Sequence, residues 1–214
     1  MEPSFWHNRW QTNQTGWHES TVNPLLIAHF SSLNVPLGRR VFVPLCGKSL
    51  DLGWLLFHGY DVAGVELSEL AVTQLFAELG IEPIISAVEK LRLFQGEKID
   101  IFVGDFFDLS RKILGPVDAI YDRAALVALP EAMRVQYTAH LKAITALAPQ
   151  LVIGYEYDQT AVAGPPFSVT RYELQHHYSD AYTLTLLDRV DVPGGLKSKC
   201  PATEHIWRLE KLPG

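Results

Sequence analysis

The sequence RRVFVPLCGKSLDLGWLLFHGYDVAGVE, residues 39–66, predicts one strand, a tight turn, a helix and a second strand. Its first apolar run, residues 40–45, is typical of a strand buried on both faces of a parallel sheet. The run breaks at Gly47, because only glycine lets the backbone turn sharply or lie against a ligand without a side-chain clash. Apolar residues at helical spacing follow and stop at Gly59. A second apolar run then ends in an acid, Glu66, so the segment has the pattern of a βαβ unit.

Glu66 is the residue of this unit that points to a ligand. It lies about 20 residues beyond the Gly47 turn, the spacing at which nucleotide-binding βαβ units place a carboxylate on ribose hydroxyls. A carboxylate accepts hydrogen bonds from both vicinal hydroxyls and would repel a phosphate there. We therefore expect a ligand with an unphosphorylated ribose. The alternative is that Glu66 only caps the helix that begins near Ser68.

Three kinds of nucleotide site compete for the Gly47 turn. A phosphate-binding NTPase loop requires a glycine five residues before Gly-Lys-Ser, and Phe42 occupies that position. A dinucleotide fingerprint requires three glycines, whereas the sequence LCGKSL at residues 45–50 contains one. A nucleoside-like cofactor without a phosphate tolerates a turn with a single glycine, and S-adenosylmethionine is the common cofactor of that kind. The turn argues against the first two sites more strongly than it argues for the third.

The composition bounds the class of protein. The chain has 214 residues, 48% of them apolar, so we expect one domain, residues 1–214, around one large core. A net charge of −6 with interspersed signs lacks the basic face that nucleic-acid binding requires. Two cysteines cannot form a disulfide framework, which favours a reducing cytoplasm. We see no signal peptide, membrane-spanning run or long apolar edge, and we expect a cytoplasmic monomer without a membrane partner.

The N-terminal segment, residues 1–30, concentrates aromatic residues among polar ones. Trp6, Trp10 and Trp17 have large apolar surfaces that must be covered when the chain folds. Two interpretations of this arm stay open. It packs against the outside of the sheet, or it forms a lid over the cofactor with Trp10 or Trp17 on a flat ring.

The third predicted strand, residues 99–104, is followed by an acid and an aromatic residue, Asp105 and Phe106. At the carboxyl end of a strand, such a pair suits an adenine ring. The aromatic ring would stack on the adenine, and the acid or nearby backbone would take its amino group. An ordinary turn into a helix is the alternative.

The fourth predicted strand, residues 117–123, ends in two charges, Asp122 and Arg123. Open α/β sheets bind ligands beyond the strand ends, near the switch in strand order. Because buried charges are costly unless paired, we expect Arg123 to pair with Asp122 or with the carboxylate of a bound amino acid.

The rest of the chain predicts a fifth strand and a closing antiparallel pair. The fifth strand covers residues 151–158, and the stiff sequence GPPF at 164–167 is either a pocket wall or a rigid linker. The closing pair covers residues 182–190 and 204–212. The count is about seven strands, five of them in βα alternation before a terminal hairpin. That is the plan of Rossmann-like methyltransferases, because dehydrogenases usually finish on a parallel strand.

Three motifs resemble those of the bacterial thiopurine S-methyltransferases: VPLCGKSLD at 43–51, YDRAALVAL at 121–129 and GPPF at 164–167. The spacing of Trp6, Trp10 and Trp17-His18-Glu19 is similar too. The resemblance extends over nearly the whole chain. It implies an α/β, Rossmann-like class I methyltransferase with a seven-stranded, mostly parallel sheet, an antiparallel C-terminal hairpin and an aromatic N-terminal arm. It also implies methyl transfer from S-adenosyl-L-methionine to the sulfur of aromatic or heterocyclic thiols such as thiopurines.

The resemblance also assigns roles to individual residues. It implies cofactor contacts at four positions, which are Trp10, Leu45, Glu66 and Arg123. By similarity, Asp105 and Phe106 lie beside the adenine, and Trp17 lies near the substrate. Arg123 is the candidate catalytic residue, since its charge near the reacting sulfur would favour the thiolate. Vertebrate members carry a substrate-facing arginine before the last strand, whereas the corresponding loop here offers lysines.

Two other functions stay open. The acceptor could instead be a halide, an oxygen nucleophile, or selenite or tellurite, the last two connecting the protein with metalloid resistance. The chain could also be a nucleoside-binding domain without activity. We find no Cys–His or Ser–His pair, and we interpret Cys46 as a small packed side chain. His176 and His177 are adjacent and point in different directions on a helix, so we expect no metal site.

Overall fold

The computed structural model describes residues 2–213, and its strands form one mixed sheet. Within that range there are nine strands: β1 (Arg40–Pro44), β2 (Asp61–Glu66), β3 (Ile84–Val88), β4 (Leu91–Gly96), β5 (Ile99–Val103), β6 (Ala119–Arg123), β7 (Gln150–Tyr157), β8 (Tyr182–Asp191) and β9 (Ala202–Lys211). They lie side by side in the order β3-β4-β5-β2-β1-β6-β7-β9-β8.

The helices pack around this sheet. Over residues 2–213 they are α1 (Pro3–Gln11), α2 (Pro24–His29), α3 (Leu50–Phe57), α4 (Glu69–Leu79), α5 (Arg111–Leu114), α6 (Glu131–Ile144) and α7 (Arg171–Tyr178). The expected start of α4 is confirmed, since the Ser68 hydroxyl accepts from the Ala71 N–H, and the helix ends at Gly80, which adopts a φ of 67°. No helix in the described range is long and apolar enough to cross a bilayer.

The expected fold class is confirmed, and the five strands predicted in βα alternation are the parallel centre of the sheet, β5-β2-β1-β6-β7. The expected hairpin is also present, with β9 between β7 and β8 and antiparallel to both. The described sheet has two strands more than the expected seven, and its second flank, β3-β4-β5, is antiparallel as well. The expected parallel arrangement therefore holds for the five central strands and not for the whole sheet.

The two additional strands, β3 and β4, lack the patterns that reveal strands in a sequence. β3 is exposed along nearly its whole length, and Ile84 is 73% exposed, so its side chains do not alternate between core and solvent. The turn between them has Glu89 with a φ of 52° instead of the usual glycine or asparagine. Neither the strand period nor the turn residue marks this hairpin.

Two hydrophobic layers enclose the parallel strands. Phe42 of β1 belongs to the core on one face of the sheet, and its neighbours Val41 and Val43 belong to the core on the other face. All three side chains are at most 3% exposed. Burial on both faces explains why the central strands appear as continuous apolar runs.

The strand order places a crevice above β1. β1 pairs with β2 on one side and with β6 on the other, so the chain reverses its direction of winding at this strand. In open α/β sheets, ligands bind beyond the carboxyl ends of the strands at such a switch point.

Candidate active site

A cavity of about 560 Å³ lies at the carboxyl ends of the central strands. All seven residues predicted as site residues line it: Trp10, Trp17, Leu45, Glu66, Asp105, Phe106 and Arg123. A more open depression of about 800 Å³ lies beside the loop that joins β8 to β9, and none of the seven lines it. The cavity at the strand ends is therefore the candidate site.

The floor of the cavity is shaped by two unusual backbone positions. Leu45, directly after β1, has a φ of 47°, and Ala124, directly after β6, has a φ of 63°. A residue with a side chain loses about 1–2 kcal/mol in this left-handed conformation. Such positions concentrate at functional sites, where the surrounding structure holds them in place.

The Gly47 turn has no room for a side chain. Gly47 has a φ of 55°, and a Cβ atom there would lie 3.1 Å from the Trp10 ring. Its N–H donates to Oε2 of Glu66 at 2.8 Å, which fixes the turn against the end of β2. Cys46 in the same turn is buried, and burial, followed by the charge of Glu66, raises the pKa of its thiol. The prediction that Cys46 is a packed side chain is thus confirmed.

Glu66 lies at the end of β2 with only 6% of its surface exposed. Its Oε1 accepts from the Ser68 N–H at 2.8 Å, in addition to the bond between Oε2 and Gly47. Burial raises the pKa of the carboxyl, while backbone hydrogen bonds from Ser68, Gly47 and Leu67 oppose that shift. The capping interpretation is correct as far as the Ser68 N–H is concerned. A carboxylate has about four acceptor sites, so these bonds leave capacity for ribose hydroxyls.

Asp105 and Phe106 occupy different environments after β5. Asp105 is exposed, and its Oδ1 accepts from the Phe107 N–H at 2.9 Å, which caps a 3₁₀ turn from Phe106–Asp108. Phe106 is 4% exposed and packs against Tyr137 with 4.9 Å between ring centroids. The expected alternative, a turn, is present, and both side chains still border the cavity.

Arg123 does not pair with Asp122, which was one of its two expected partners. Its Nη1 donates to the carbonyl of Trp17 at 3.1 Å, and its Nη2 forms an ion pair with Glu19. Asp122 instead points into the core and accepts from the Tyr137 hydroxyl at 2.7 Å. The reason is the strand geometry: adjacent residues of a strand point to opposite faces. Asp122 faces the core and Arg123 faces the cavity.

The N-terminal arm covers the same cavity. α1 carries Trp10, which is 7% exposed, and Trp17 packs edge-on against both Trp6 and Trp10 at 5.3 and 5.7 Å between ring centroids. The arm therefore lies over the Gly47 turn and reaches Arg123 through Trp17 and Glu19. This placement is what the lid interpretation requires, and the helix α1 itself was not expected.

Glu19 and Tyr155 are among the cavity residues to which the sequence analysis gave no role. Glu19 stood in the Trp17-His18-Glu19 triplet, but its partner lies 104 residues away in the sequence. Tyr155 lies near the carboxyl end of β7. Its position at a strand end beside the switch point is the signal that could have identified it.

Comparisons with known proteins agree with this geometry. The chain resembles the crystal structure of a Burkholderia thailandensis 1,6-didemethyltoxoflavin-N1-methyltransferase with bound S-adenosylhomocysteine, with a TM-score of 0.64 and 17% identity. That match covers 97% of this chain and 86% of the other, and at this identity it shows the fold alone.

Much closer relatives exist by sequence. A thiopurine S-methyltransferase of Xanthobacter autotrophicus is 53% identical over 99% of this chain and 100% of its own. A thiopurine S-methyltransferase of Teredinibacter turnerae is 52% identical over 99% of this chain and 98% of its own. The family model for thiopurine S-methyltransferase matches residues 1–211. The chain therefore belongs to the thiopurine S-methyltransferase family.

Proposed function

We propose that this protein transfers the methyl group of S-adenosyl-L-methionine to the sulfur of aromatic and heterocyclic thiols such as thiopurines. Family membership over nearly the whole chain supports this activity. The observation that carries it is the buried carboxylate of Glu66, held against the single-glycine turn in a cavity at the strand ends. That arrangement suits an adenosine whose ribose carries no phosphate.

The chain offers a contact for each part of the methyl donor. Glu66 takes the ribose hydroxyls, Leu45 and the turn after β1 border the donor, and Asp105 and Phe106 lie beside the adenine. Trp10 covers the donor from the arm, and Trp17 borders the acceptor. The part of the arm that ends at Glu19 thus acts as a lid on a single domain of residues 1–214, whereas Leu25, Leu26 and Phe30 of residues 1–30 belong to the core. The support for these roles is that all these side chains line one cavity.

The donor supplies an electrophilic methyl group on a sulfonium, and the protein supplies position and charge. Methyl transfer is an in-line displacement, so holding the two reactants in line contributes most of the rate. Arg123 lies on the cavity wall and forms an ion pair with Glu19. A positive charge close to a thiol favours the ionised form of that thiol, and Arg123 supplies that charge. The tryptophans of the arm exclude water from the reacting sulfur.

We also propose that the protein works as a monomer in the cytoplasm and binds neither nucleic acid nor membrane. The acidic net charge of −6 supports the first part of that exclusion. Cys46 and Cys200 are both free, which suits a reducing compartment.

An acceptor panel tests the proposed activity. The protein is incubated with methyl-labelled S-adenosylmethionine and, separately, a thiopurine, a simple aromatic thiol, a phenol, a halide, selenite and tellurite. We expect label in the thioether products of the first two. Transfer to selenite or tellurite would add the metalloid acceptors and a role in metalloid resistance. Transfer to the phenol or halide alone would contradict the assignment to sulfur.

A further inference from the structure

Methylation of a protonated thiol releases a proton, and the groups described so far are poorly placed to accept it. The Glu66 carboxylate is tied to the Gly47 and Ser68 N–H groups on the donor side of the cavity. Arg123 is a cation and accepts no proton near neutral pH. Burial raises the pKa of the Cys46 thiol, so Cys46 keeps its own proton.

A tyrosine and a glutamate lie beside Arg123 on the neighbouring strands. Tyr155 of β7 and Glu204 of β9 are directly opposite each other in the antiparallel pair. Side chains at directly opposite positions share one face of a sheet and interact closely. Burial, followed by the charge of the Glu204 carboxylate, raises the pKa of the Tyr155 hydroxyl. Tyr155 also lines the cavity, whereas Glu204 lies behind it.

The strand register places this pair on the same face as Arg123. Arg123 of β6 is level with Ile153 of β7, and Tyr155 lies two residues farther along β7. Because side chains alternate along a strand, Ile153 and Tyr155 point to the same side as Arg123. The row Arg123, Tyr155 and Glu204 therefore crosses three adjacent strands toward the edge of the cavity.

The surroundings of Glu204 favour a group that can change its protonation state. Burial raises the pKa of its carboxyl, and the neighbouring Tyr155 hydroxyl and the charge of Arg123 oppose that shift. Glu19, from the arm, adds a second negative charge and raises the pKa as well. On the β8 side, the residue level with Glu204 is the uncharged Val190. Glu204 remains half-buried, so it can exchange protons with solvent.

We propose that Tyr155 and Glu204 form a proton relay for the acceptor thiol, with Tyr155 touching the substrate and Glu204 acting through it. The inference rests on the proposed function. The S–H bond breaks and its proton passes to the Tyr155 oxygen, while the Tyr155 hydroxyl proton passes to the Glu204 carboxylate. The electron pair of the S–H bond stays on sulfur, which then forms the new S–C bond. The C–S bond of the sulfonium breaks, its electron pair leaves with the donor sulfur as a neutral thioether, and Glu204 returns the proton to water.

The relay makes a prediction that depends on the acidity of the thiol. A thiol that is already ionised at the assay pH needs no relay, whereas a protonated one does. Two acceptors of similar size are compared at one pH, one with a pKa well below that pH and one with a pKa well above it. We expect Tyr155→Phe and Glu204→Gln to lose at least about a hundredfold in kcat/KM on the protonated thiol, the lower end of the range for general base catalysis. On the ionised thiol the loss stays below about twofold, since no proton remains to be removed.

Raising the assay pH above the pKa of the weaker acid should restore the lost rate in both variants. A purely structural role for the pair would not produce that recovery. Glu156→Gln is the matched control, because Glu156 is the next residue on β7 and pairs with His205 at 3.2 Å instead. Binding of S-adenosylhomocysteine by calorimetry shows that each variant is folded, and Tyr155→Phe alone carries the test if Glu204→Gln does not fold.

Equal losses on both thiols, or no loss on either, would overturn the relay while leaving the proposed function intact. The same follows if His18→Asn, which alters another titratable residue of the cavity, shows the selective loss and Glu204→Gln does not. Failure of the unaltered protein to methylate either thiol would instead refute the proposed function, and the relay with it.

Discussion

Glu66 connects two strand ends as well as bordering the cavity. Its two carboxylate oxygens accept from Gly47 and Ser68, which belong to the turns after β1 and β2. The same side chain therefore shapes the turn and presents acceptors to a ribose. This double use explains why the capping and ligand interpretations could not be separated from the sequence.

We predict that Glu66→Gln weakens S-adenosylhomocysteine binding by about 1.5–3 kcal/mol, because hydrogen bonds to a charged group contribute that much. Calorimetry measures the affinity. Glu69→Gln is the control, since Glu69 is exposed in the next helix and pairs with Arg92. An affinity that Glu66→Gln leaves unaltered would count against the ribose assignment.

We predict that Asp122 makes stability depend on pH. Burial raises its pKa from 3.8 to about 6, although hydrogen bonds from Tyr137, Leu126 and Ala125 oppose the shift. The folded state then binds more protons than the unfolded state between these values, so stability falls as pH rises from about 4 to about 6. The expected contribution is about 3 kcal/mol.

Urea unfolding of the unaltered protein and Asp122→Asn at several pH values measures this contribution. The stability advantage of aspartate over asparagine should shrink by about 3 kcal/mol between pH 4 and pH 7 and stay constant above. Other groups that titrate are present in both proteins and cancel in the difference. Parallel pH profiles would refute the prediction.

At the scale of elements, the N-terminal arm is the one whose role depends most on tertiary contacts. It packs Trp10 on the Gly47 turn and places Glu19 on Arg123. The core of the sheet, in contrast, is built from strands and helices after residue 24 together with two buried faces. The described contacts of the arm thus lie at the cavity, outside the two hydrophobic layers of the sheet.

We predict that deleting residues 1–17 leaves a folded sheet with at least about tenfold weaker binding of S-adenosylhomocysteine, equivalent to about 1.4 kcal/mol. Circular dichroism and calorimetry measure the two properties. Trp10→Ala should reproduce part of the loss, whereas Phe57→Ala, an aromatic residue 88% exposed outside the arm, should not. Loss of cooperative unfolding after the deletion would show that the arm is part of the core.

At the scale of the whole molecule, we expect the site to select one class of nucleotide. The turn after β1 has one glycine and lies against the Glu66 carboxylate, so we expect it to accommodate neither a pyrophosphate nor a triphosphate. Aromatic side chains from the arm, those of Trp6, Trp10 and Trp17, line the cavity instead. These features together favour a nucleoside with an amino-acid chain.

We predict that S-adenosylhomocysteine at 100 times its Kd raises the Tm by roughly 5–10 °C. A ligand at that concentration stabilises the folded state by about 2.7 kcal/mol. In a protein of this size, each kcal/mol raises the Tm by about 2–4 °C. NAD and ATP at the same concentration should leave the Tm unchanged within about 1 °C, because neither would bind. A scanning fluorimetry series measures all three. A larger shift with NAD would mean that the single-glycine turn accommodates a pyrophosphate.

The sequence by itself determined the βαβ unit, the five parallel strands, the closing hairpin and the family. These depend on local patterns: apolar runs that must be buried on both faces, a glycine at the turn after the first strand, and an acid at a fixed distance along the chain. This spacing identified Glu66 as a candidate ligand for the ribose. Such patterns involve residues within about 20 positions of one another.

Only the tertiary structure decided which groups meet across the chain. Arg123 pairs with Glu19 and Tyr155 faces Glu204 because strand order and register bring distant residues together. The β3–β4 hairpin likewise forms because β4 pairs with β5, although its own residues show no strand period. A charged side chain has many possible partners along a sequence, and the fold decides which of them lie close enough to pair with it when it is buried.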